Sequence, residues 1–259
     1  MIATEVISML RTEGKGIEIT SLFSHSDKDK AQSLAKANRI AHVYTDYTQL
    51  LKEDDADFVY IALVNSAHYD YVRQALEADR NVIVEKPFTT SLSQAEELAS
   101  LARSRNLYLF EAVSLLHTPN FKLVKDSLTR IAPIHLVQCN FSQYSSRFER
   151  YLQGDIAPAF NPKLGGGAMN DLNVYNINTV IGLFGEPLTT TYYANRGHNG
   201  IDTSGTMVLS YPTLTATCTA AKDSSSPSFT IIQGEKGWIR IPTTANEFGS
   251  VEIMEGGKL

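Results

Sequence analysis

The first half of the chain alternates short apolar runs with segments of helical periodicity. The apolar runs are rich in β-branched residues and short, as expected for strands that a parallel sheet buries on both faces. These predicted strands cover residues 17–23, 58–64, 81–84 and 107–110. Helices are predicted to begin near Ile2, Asp27, Ala67 and Ser91, where apolar residues recur one helical turn apart. Alternation of this kind predicts βαβ units and a doubly wound parallel sheet of the α/β class.

The second half of the chain has a different pattern, with longer strands of alternating polarity. Apolar residues alternate with threonines over 214–220, which is the period of a sheet with one buried face. The second half therefore predicts an α+β domain with a predominantly antiparallel sheet and helices on one face. Its predicted strands cover residues 134–141, 188–195, 203–211, 214–221, 228–233 and 238–241, and its helices 121–128 and 169–183. We place the two domains at 1–113 and 114–259, with a long irregular stretch at 142–167.

Composition and charge narrow the classes of function. The 259 residues are 43% hydrophobic, which is enough for one large or two medium domains. The net charge of -5 gives no basic surface that would bind nucleic acid. The longest apolar run, 58–64, is far shorter than the roughly 20 residues of a membrane span. Glu5 and Arg11 interrupt the opening segment, so we expect that this segment is not a secretory signal. Cys139 and Cys218 lack metal-ligand spacing, so we expect no metal site and two buried thiols in a cytoplasmic protein.

A carboxylate, an ammonium and a proline directly follow the third predicted strand, as Glu85-Lys86-Pro87. Ligands of open α/β sheets gather at the carboxyl ends of strands, so Lys86 is predicted to lie in a crevice. Pro87 fixes its own φ and restricts the residue before it, which holds Lys86 extended. The alternative interpretation is a Glu–Lys pair on a solvated loop.

A glycine-rich loop leads into the predicted helix at 169–183. Three glycines at 165–167 let the backbone approach a ligand closely, and Asp171 and Tyr175 follow one helical turn apart on the same face. A free tyrosine has a pKa of about 10, so a role in proton exchange near neutrality needs a cation such as Lys86 to stabilise the phenolate. The alternative is a flexible connection followed by a core aromatic residue.

Together these motifs resemble the Gfo/Idh/MocA superfamily of nicotinamide-dependent oxidoreductases, along essentially the whole chain. The resemblance is carried by Asn65-Ser66-Ala67-His68, Glu85-Lys86-Pro87, Glu111-Ala112, and the glycine loop that leads into Asp171-x-x-x-Tyr175. It implies a Rossmann-like first domain. Histidine is commoner at the last position of the D-x-x-x-H/Y motif, and tyrosine is typical of the branches with dihydrodiol dehydrogenases and glucose-fructose oxidoreductase.

The resemblance also implies catalytic roles. Lys86 would polarise the substrate oxygen, Tyr175 would carry the proton, and Asp171 would orient Lys86 or sugar-like hydroxyls. The reaction would be hydride transfer between nicotinamide and a hydroxyl or carbonyl carbon of a sugar, cyclitol or diol. The alternative is a non-enzymatic nucleotide-binding sensor or regulator of the same superfamily, and the presence of all three side chains favours the enzyme.

The cofactor is expected to be NADP or NAD, and the residues after the second predicted strand favour NADP. An acidic residue there would bind the ribose of NAD, whereas this chain has Ser24-His25-Ser26. His68 is implied to lie near the nicotinamide, with a surface histidine as the alternative. The full set of implied cofactor-binding residues is Ile2, Ala3, Ser24, His25, Ser26, Asn65, His68, Glu85 and Lys86.

Two further expectations concern the ends of the chain and its assembly. Family members open with a strand and a G-x-G-x-x-G/A turn, of which Met1-Ile2-Ala3 resembles only the last positions, so we expect a chain truncated at both ends. The alternative is a natural protein that has lost this central strand. The alternating sheet at 203–221 would expose a broad flat surface, which predicts a homodimer or homotetramer formed through that sheet. Substrate specificity is expected to lie at 142–167, with Arg147, Arg150, Tyr151 and Asn161 as candidates.

Overall fold

The computed structural model describes residues 2–257 and divides into two compact units between Glu111 and Ala112. This division lies two residues before the boundary predicted from the sequence. Met1, Lys258 and Leu259, which belong to the outer ends of the predicted domains, lie outside the described residues.

The first unit alternates strands and helices along its whole length. Its strands are β1 (Ser21–Phe23), β2 (His42–Tyr44), β3 (Phe58–Ile61), β4 (Asn81–Val84) and β5 (Leu109–Glu111). Its helices are α1 (Ile2–Glu13), α2 (Lys28–Asn38), α3 (Tyr47–Glu53), α4 (His68–Glu77) and α5 (Leu92–Ser104). Asp27 and Ser91 are the N-caps of α2 and α5, where each side chain accepts a hydrogen bond from a backbone N–H in the first turn.

All strand pairs of the first unit are parallel, which confirms the predicted Rossmann-like α/β class. β3, β4 and β5 form one sheet in that order, and β1 pairs with β2 in a separate sheet. β2 and α3 were not predicted, because a half-exposed strand of three residues has too few positions to show a period. Asp54, one of four acidic residues at 53–57, is buried and accepts a hydrogen bond from Thr20 Oγ1, although acidic residues at a helix end are usually solvated.

The second unit contains a seven-stranded sheet of order β12-β11-β10-β6-β9-β8-β7. Its strands are β6 (Ile134–Ser142), β7 (Thr189–Arg196), β8 (Asp202–Ser210), β9 (Thr215–Ala221), β10 (Phe229–Gly234), β11 (Gly237–Ile241) and β12 (Glu252–Glu255). Its helices are α6 (Pro119–Ile131), α7 (Phe148–Leu152) and α8 (Val174–Phe184). Neighbouring strands are antiparallel except β6 and β9, which pair in parallel, so the prediction of a predominantly antiparallel sheet is confirmed.

The sheet of the second unit has one buried face, as its alternating pattern predicts. Ala216, Cys218 and Ala220 are fully buried. Ala216 and Cys218 belong to the same hydrophobic core as Val124 of α6 and Val180 of α8. The opposite face has a row of half-buried or exposed residues across neighbouring strands. In order this row is Thr191, Val208, Thr217, Gln138, Ile231 and Arg240.

The segment 142–167 is more ordered than its composition suggests. It contains α7 and two short 3-10 turns, Pro158–Phe160 and Pro162–Leu164. Tyr151, one of the candidates for substrate contact, is 1% exposed and stacks on Phe160, so it is a core residue and that interpretation of Tyr151 is wrong.

Candidate active site

The carboxyl ends of β3, β4 and β5 carry a set of interacting polar side chains. Glu85 and Lys86 follow β4 directly and are both half-buried, unlike a pair on a fully solvated loop. Tyr60 donates its hydroxyl hydrogen to Glu85, and the backbone N–H of Lys86 donates to Glu85 Oε2 at 3.3 Å. On the far side of the turn, the N–H of Phe88 donates to Glu111 Oε1 at 2.8 Å. Carboxylates therefore fix the backbone of the Lys86 turn on both sides.

Glu111 has an unusual electrostatic environment. Burial raises the pKa of its carboxyl group, and the charge of Glu85 raises it further. The N–H of Phe88 and the ammonium of Lys86 oppose this rise only in part, so the pKa of Glu111 stays above its ordinary value. Lys86 consequently lies in the field of carboxyl groups from two neighbouring strands.

His68, the first residue of α4, is completely buried. Its Nδ1 lies 2.9 Å from the carbonyl oxygen of Pro87, and its Nε2 lies 3.2 Å from that of Leu63. The ring thus connects the chain after β3 with the Lys86 turn, and the alternative of a surface histidine is wrong. Asn65 precedes His68 in the chain and is half-buried in a 3-10 turn, Asn65–Ala67.

The residues after β1 form a tight turn into α2. Ser24 Oγ donates to the carbonyl oxygen of Asp27 at 3.0 Å and accepts the N–H of Asp27 at 3.2 Å. The Asp27 carboxylate accepts the N–H of Lys30 at 2.9 Å as the helix cap. His25 and Ser26 are exposed. The carboxylate nearest to the end of β1 is therefore held by the helix N-terminus, while the Ser26 hydroxyl and the His25 imidazole lie at the surface.

In the second unit, the glycine-rich loop packs closely against its own chain. A side chain at Gly166 would collide with the carbonyl oxygen of Pro158, and one at Gly167, whose φ is +110°, would collide with the Asp202 carboxylate. Asp202 Oδ2 also accepts the N–H of Met169 at 2.7 Å and the hydroxyl of Tyr192 at 2.7 Å. The glycine loop is thus closely packed and supports the start of the helix that follows.

The helix after this loop begins with a π-helical turn, Met169–Asn173, and becomes α-helical at Val174. Sequence periodicity predicts one continuous α-helix here and does not show the wider turn. Asn173 is fully buried and donates to the carbonyl oxygen of Cys218 at 2.9 Å, which joins the turn to β9. Such turns are frequent at functional sites. Tyr175 is half-buried, and its ring centroid lies 6.2 Å from that of Phe141.

Asp171 lies in the π-helical turn and forms a salt bridge that the sequence analysis missed. Its Oδ2 lies 2.7 Å from Nζ of Lys222, whose side chain is 3% exposed while that of Asp171 is 37% exposed. Lys222 directly follows β9, and a lysine in that position is usually part of a solvent-exposed loop. A signal was nevertheless present, because the inward alternation over 214–220 continues to 222.

The predicted catalytic residues belong to different units of the structure. Lys86 belongs to the first unit and Asp171 and Tyr175 to the second, so the predicted pairing of Lys86 with Tyr175 stays a prediction. Arg150 pairs with Asp155 at 2.6 Å. Within residues 2–257, no cluster of three His, Cys, Asp or Glu side chains is placed to hold a metal ion. No helix in the same part of the chain is long and apolar enough to cross a membrane.

Comparison with known families and proteins matches both halves of the chain. A family model described as an oxidoreductase family with an NAD-binding Rossmann fold matches residues 1–113, and the Gfo/Idh/MocA C-terminal domain matches residues 129–240. The uncharacterized oxidoreductase YgjR of Escherichia coli is 32% identical over 236 residues, covering 91% of this chain and 71% of that protein. The scyllo-inositol 2-dehydrogenase (NADP(+)) IolU of Bacillus subtilis is 33% identical, covering 87% of this chain and 69% of that protein.

Solved structures agree with these matches. KijD10, a 3-ketoreductase from Actinomadura kijaniata in complex with TDP-benzene and NADP, has a TM-score of 0.80 at 25% identity, covering 96% of this chain and 76% of that one. The aldose-aldose oxidoreductase of Caulobacter crescentus has the same fold, with a TM-score of 0.83 at 21% identity, covering 98% and 78%. With both family domains matched in order, the chain belongs to the Gfo/Idh/MocA family of oxidoreductases.

Proposed function

We propose that this protein is an NADP-preferring dehydrogenase or reductase that acts on a CH–OH or carbonyl carbon of a sugar, cyclitol or diol. The observation that carries the proposal is Lys86, half-buried at the carboxyl end of β4 on a turn that Glu85 and Glu111 fix from both sides. Ligands of parallel α/β sheets bind at such strand ends. The relatives support the substrate class, because they include an inositol dehydrogenase, a dihydrobenzenediol dehydrogenase and a D-xylose dehydrogenase.

The residues at the strand ends fit a nicotinamide dinucleotide. Ile2 and Ala3 form the first turn of α1, and a helix N-terminus favours phosphate. The other residues that would hold the cofactor are His25, Ser26, Asn65, Glu85 and Lys86. The fully buried His68 and the internally bonded Ser24 would act by fixing the turns on which those residues lie. When bound, the nicotinamide would accept or supply the hydride.

Three side chains of the protein would polarise the substrate oxygen, transfer its proton and orient the substrate. The Lys86 ammonium would donate a hydrogen bond to that oxygen and polarise it, and the Tyr175 hydroxyl would take up or deliver the proton. Asp171 would orient the substrate by accepting hydrogen bonds from its hydroxyl groups. Proton transfer by a positioned side chain typically contributes about 10² to 10⁴ in rate.

Single and double variants test this assignment. We expect Lys86→Ala to reduce turnover by several orders of magnitude while cofactor affinity changes little, because its interaction strengthens in the transition state. Tyr175→Phe should cost about 10² to 10⁴ in turnover through the lost proton transfer. Removing both should cost little more than removing one, since either change disables the same unit. Stopped-flow measurement of hydride transfer on a panel of polyols and sugars gives these rates.

Exposed residues of the same types serve as controls. Lys52→Ala and Tyr108→Phe change a surface lysine and a surface tyrosine, and both variants should keep normal turnover. Losses that multiply in the double variant, or near-normal turnover of Lys86→Ala, would contradict the assignment. Tight cofactor binding without turnover of any substrate in the panel would instead support a nucleotide-binding sensor.

The preference for NADP follows from the turn after β1. The exposed His25 and Ser26 offer hydrogen-bond donors to a 2′-phosphate, and Ser24 holds their turn by donating to the Asp27 carbonyl oxygen. The Asp27 carboxylate is held by the N-terminus of α2. We expect fluorescence titration to give a lower Kd for NADPH than for NADH. Ser26→Asp, which adds a carboxylate at an exposed position, should reverse that order by repelling the phosphate. A clear preference of the unmodified protein for NADH would contradict the proposal.

We also propose self-association through the open face of the second-unit sheet and a cytoplasmic location. The row from Thr191 to Arg240 supports the first, because it lies on the face opposite α6 and α8. Cys139 and Cys218 support the second, because they occupy paired positions on β6 and β9 as free, buried thiols.

A further inference from the structure

Lys222 is an almost completely buried lysine whose charge is directed at the helix that bears Asp171 and Tyr175. Its residue exposure is 2%, and burying an ammonium is costly unless anions and acceptors surround it. Its Nζ lies 2.7 Å from Asp171 Oδ2, donates to the carbonyl oxygen of Ala159 at 2.8 Å, and lies 4.5 Å from the centre of the Phe160 ring.

These contacts join three separate parts of the second unit. Lys222 itself continues β9, and its backbone N–H donates to the carbonyl oxygen of Thr203 on β8 at 2.8 Å. Asp171 belongs to the π-helical turn, and Ala159 and Phe160 belong to the segment 142–167. One ammonium group therefore connects the sheet, the start of the catalytic helix and the segment predicted to select the substrate.

We propose that Lys222 is a positioning residue that holds Asp171 in one orientation and fixes the segment 142–167 beside it. Its side chain is too deeply buried to meet a substrate, whereas Asp171 is partly exposed and can accept hydrogen bonds from one. Lys222 acts through Asp171, so the carboxylate that orients a polyol is already ordered before the substrate arrives. The kinetic part of this inference rests on the proposed function, and the structural part does not.

Hydrogen exchange tests the structural part without any substrate. Lys222→Met removes the charge and keeps most of the side-chain volume. We expect amides of residues 157–167 and of Asp171 to exchange at least about ten-fold faster, because a charge-assisted contact is lost. Lys163→Met, which changes an exposed lysine in the same segment, should leave these rates unchanged. Unchanged exchange in Lys222→Met would overturn the proposal, and Lys222→Gln serves the same test if the methionine variant does not fold.

A kinetic cycle tests whether Lys222 acts through Asp171. In the unmodified protein, Lys222→Met should raise KM for the polyol and lower kcat by about ten-fold or more, with cofactor Kd unchanged. In the Asp171→Asn background, the same change should have almost no further effect. An equal loss in both backgrounds would mean that Lys222 is only structural and would overturn its role as a positioning residue. If the unmodified protein turns over no polyol or sugar, the proposed function fails, while faster exchange still supports the placement of Asp171.

Discussion

At the residue scale, Lys86 and Lys222 differ in how deeply they are buried. Lys86 is half-buried after the carboxyl end of β4, the end at which parallel α/β sheets bind ligands. Lys222 is 2% exposed and is surrounded by Asp171, a carbonyl oxygen and an aromatic ring. Because a buried charge must be paired, its neighbours fix what Lys222 can do.

Glu111 leads to a prediction about the pH dependence of stability. Burial raises the pKa of its carboxyl group in the folded chain, so the folded state holds this proton more tightly than the unfolded state. Its contribution to stability is present below the ordinary carboxyl pKa and is lost as the pH rises through the higher folded value. Glu111→Gln keeps an acceptor for the Phe88 N–H and should flatten that loss. Urea unfolding from pH 4 to pH 8 measures the free energy of unfolding of the variant and the parent. If that free energy falls equally steeply with pH in both proteins, the argument is contradicted.

Asp54 should behave in the opposite way. Burial raises the pKa of its carboxyl group, but hydrogen bonds from Ser21, Ala56 and Thr20 and the charge of Arg80 outweigh burial, so the net pKa is lowered. Its stabilisation is therefore present above the ordinary carboxyl pKa and is lost as the pH falls through the folded value. Asp54→Asn should be destabilised at pH 7 and match the parent in strong acid. A stability difference that is independent of pH would contradict this sign.

At the element scale, a distant carboxylate caps the start of the helix that bears Asp171 and Tyr175. Asp202, at the first position of β8, accepts the N–H of Met169 as an N-cap residue would, although it lies 33 positions away in sequence. Gly167 leaves the space for this approach. The cap, the π-helical turn and the Lys222 salt bridge together set the direction of the first turns of the helix.

Removing this cap should weaken the second unit. Asp202→Ala loses the acceptor for the Met169 N–H and for the Tyr192 hydroxyl, and we expect a loss of about 1 to 3 kcal/mol in the free energy of unfolding. Asp202→Asn keeps an acceptor oxygen and should lose less. Asp155→Ala, at an exposed ion pair, should change stability by less than about 0.5 kcal/mol. Chemical denaturation compares the variants, and equal stability of Asp202→Ala and the parent would exclude the capping role.

At the scale of the whole molecule, the open sheet face leads to a prediction about assembly. We expect a homodimer or larger oligomer, because this face presents Val208 and Ile231 among threonines. Thr217→Arg, near the centre of the row, should produce monomers by placing a charge in the interface. Thr129→Glu, on the exposed surface of α6, should not change the mass. Light scattering at micromolar concentration measures the mass, and a monomeric parent protein would contradict the prediction.

The sequence by itself determined those elements whose period is strong and local. β4 runs over Asn81–Val84 as predicted, Ser91 caps α5, and the inward alternation on β9 is that of the structure. The motifs around Lys86, Asp171 and Tyr175 likewise indicated the family, because their chemistry lies in short stretches of chain. Local signals of this kind need no knowledge of distant contacts.

Only the tertiary structure decided the features that join distant residues. β2 and β12 are too short or too exposed to show a period, and the parallel pairing of β6 with β9 depends on the path of the whole chain. The π-helical turn follows from contacts of Asn173 with β9 and of Met169 with Asp202, which helical periodicity cannot report. Lys222 belongs with these features, since its partner lies 51 positions away and only the folded chain brings the two charges together.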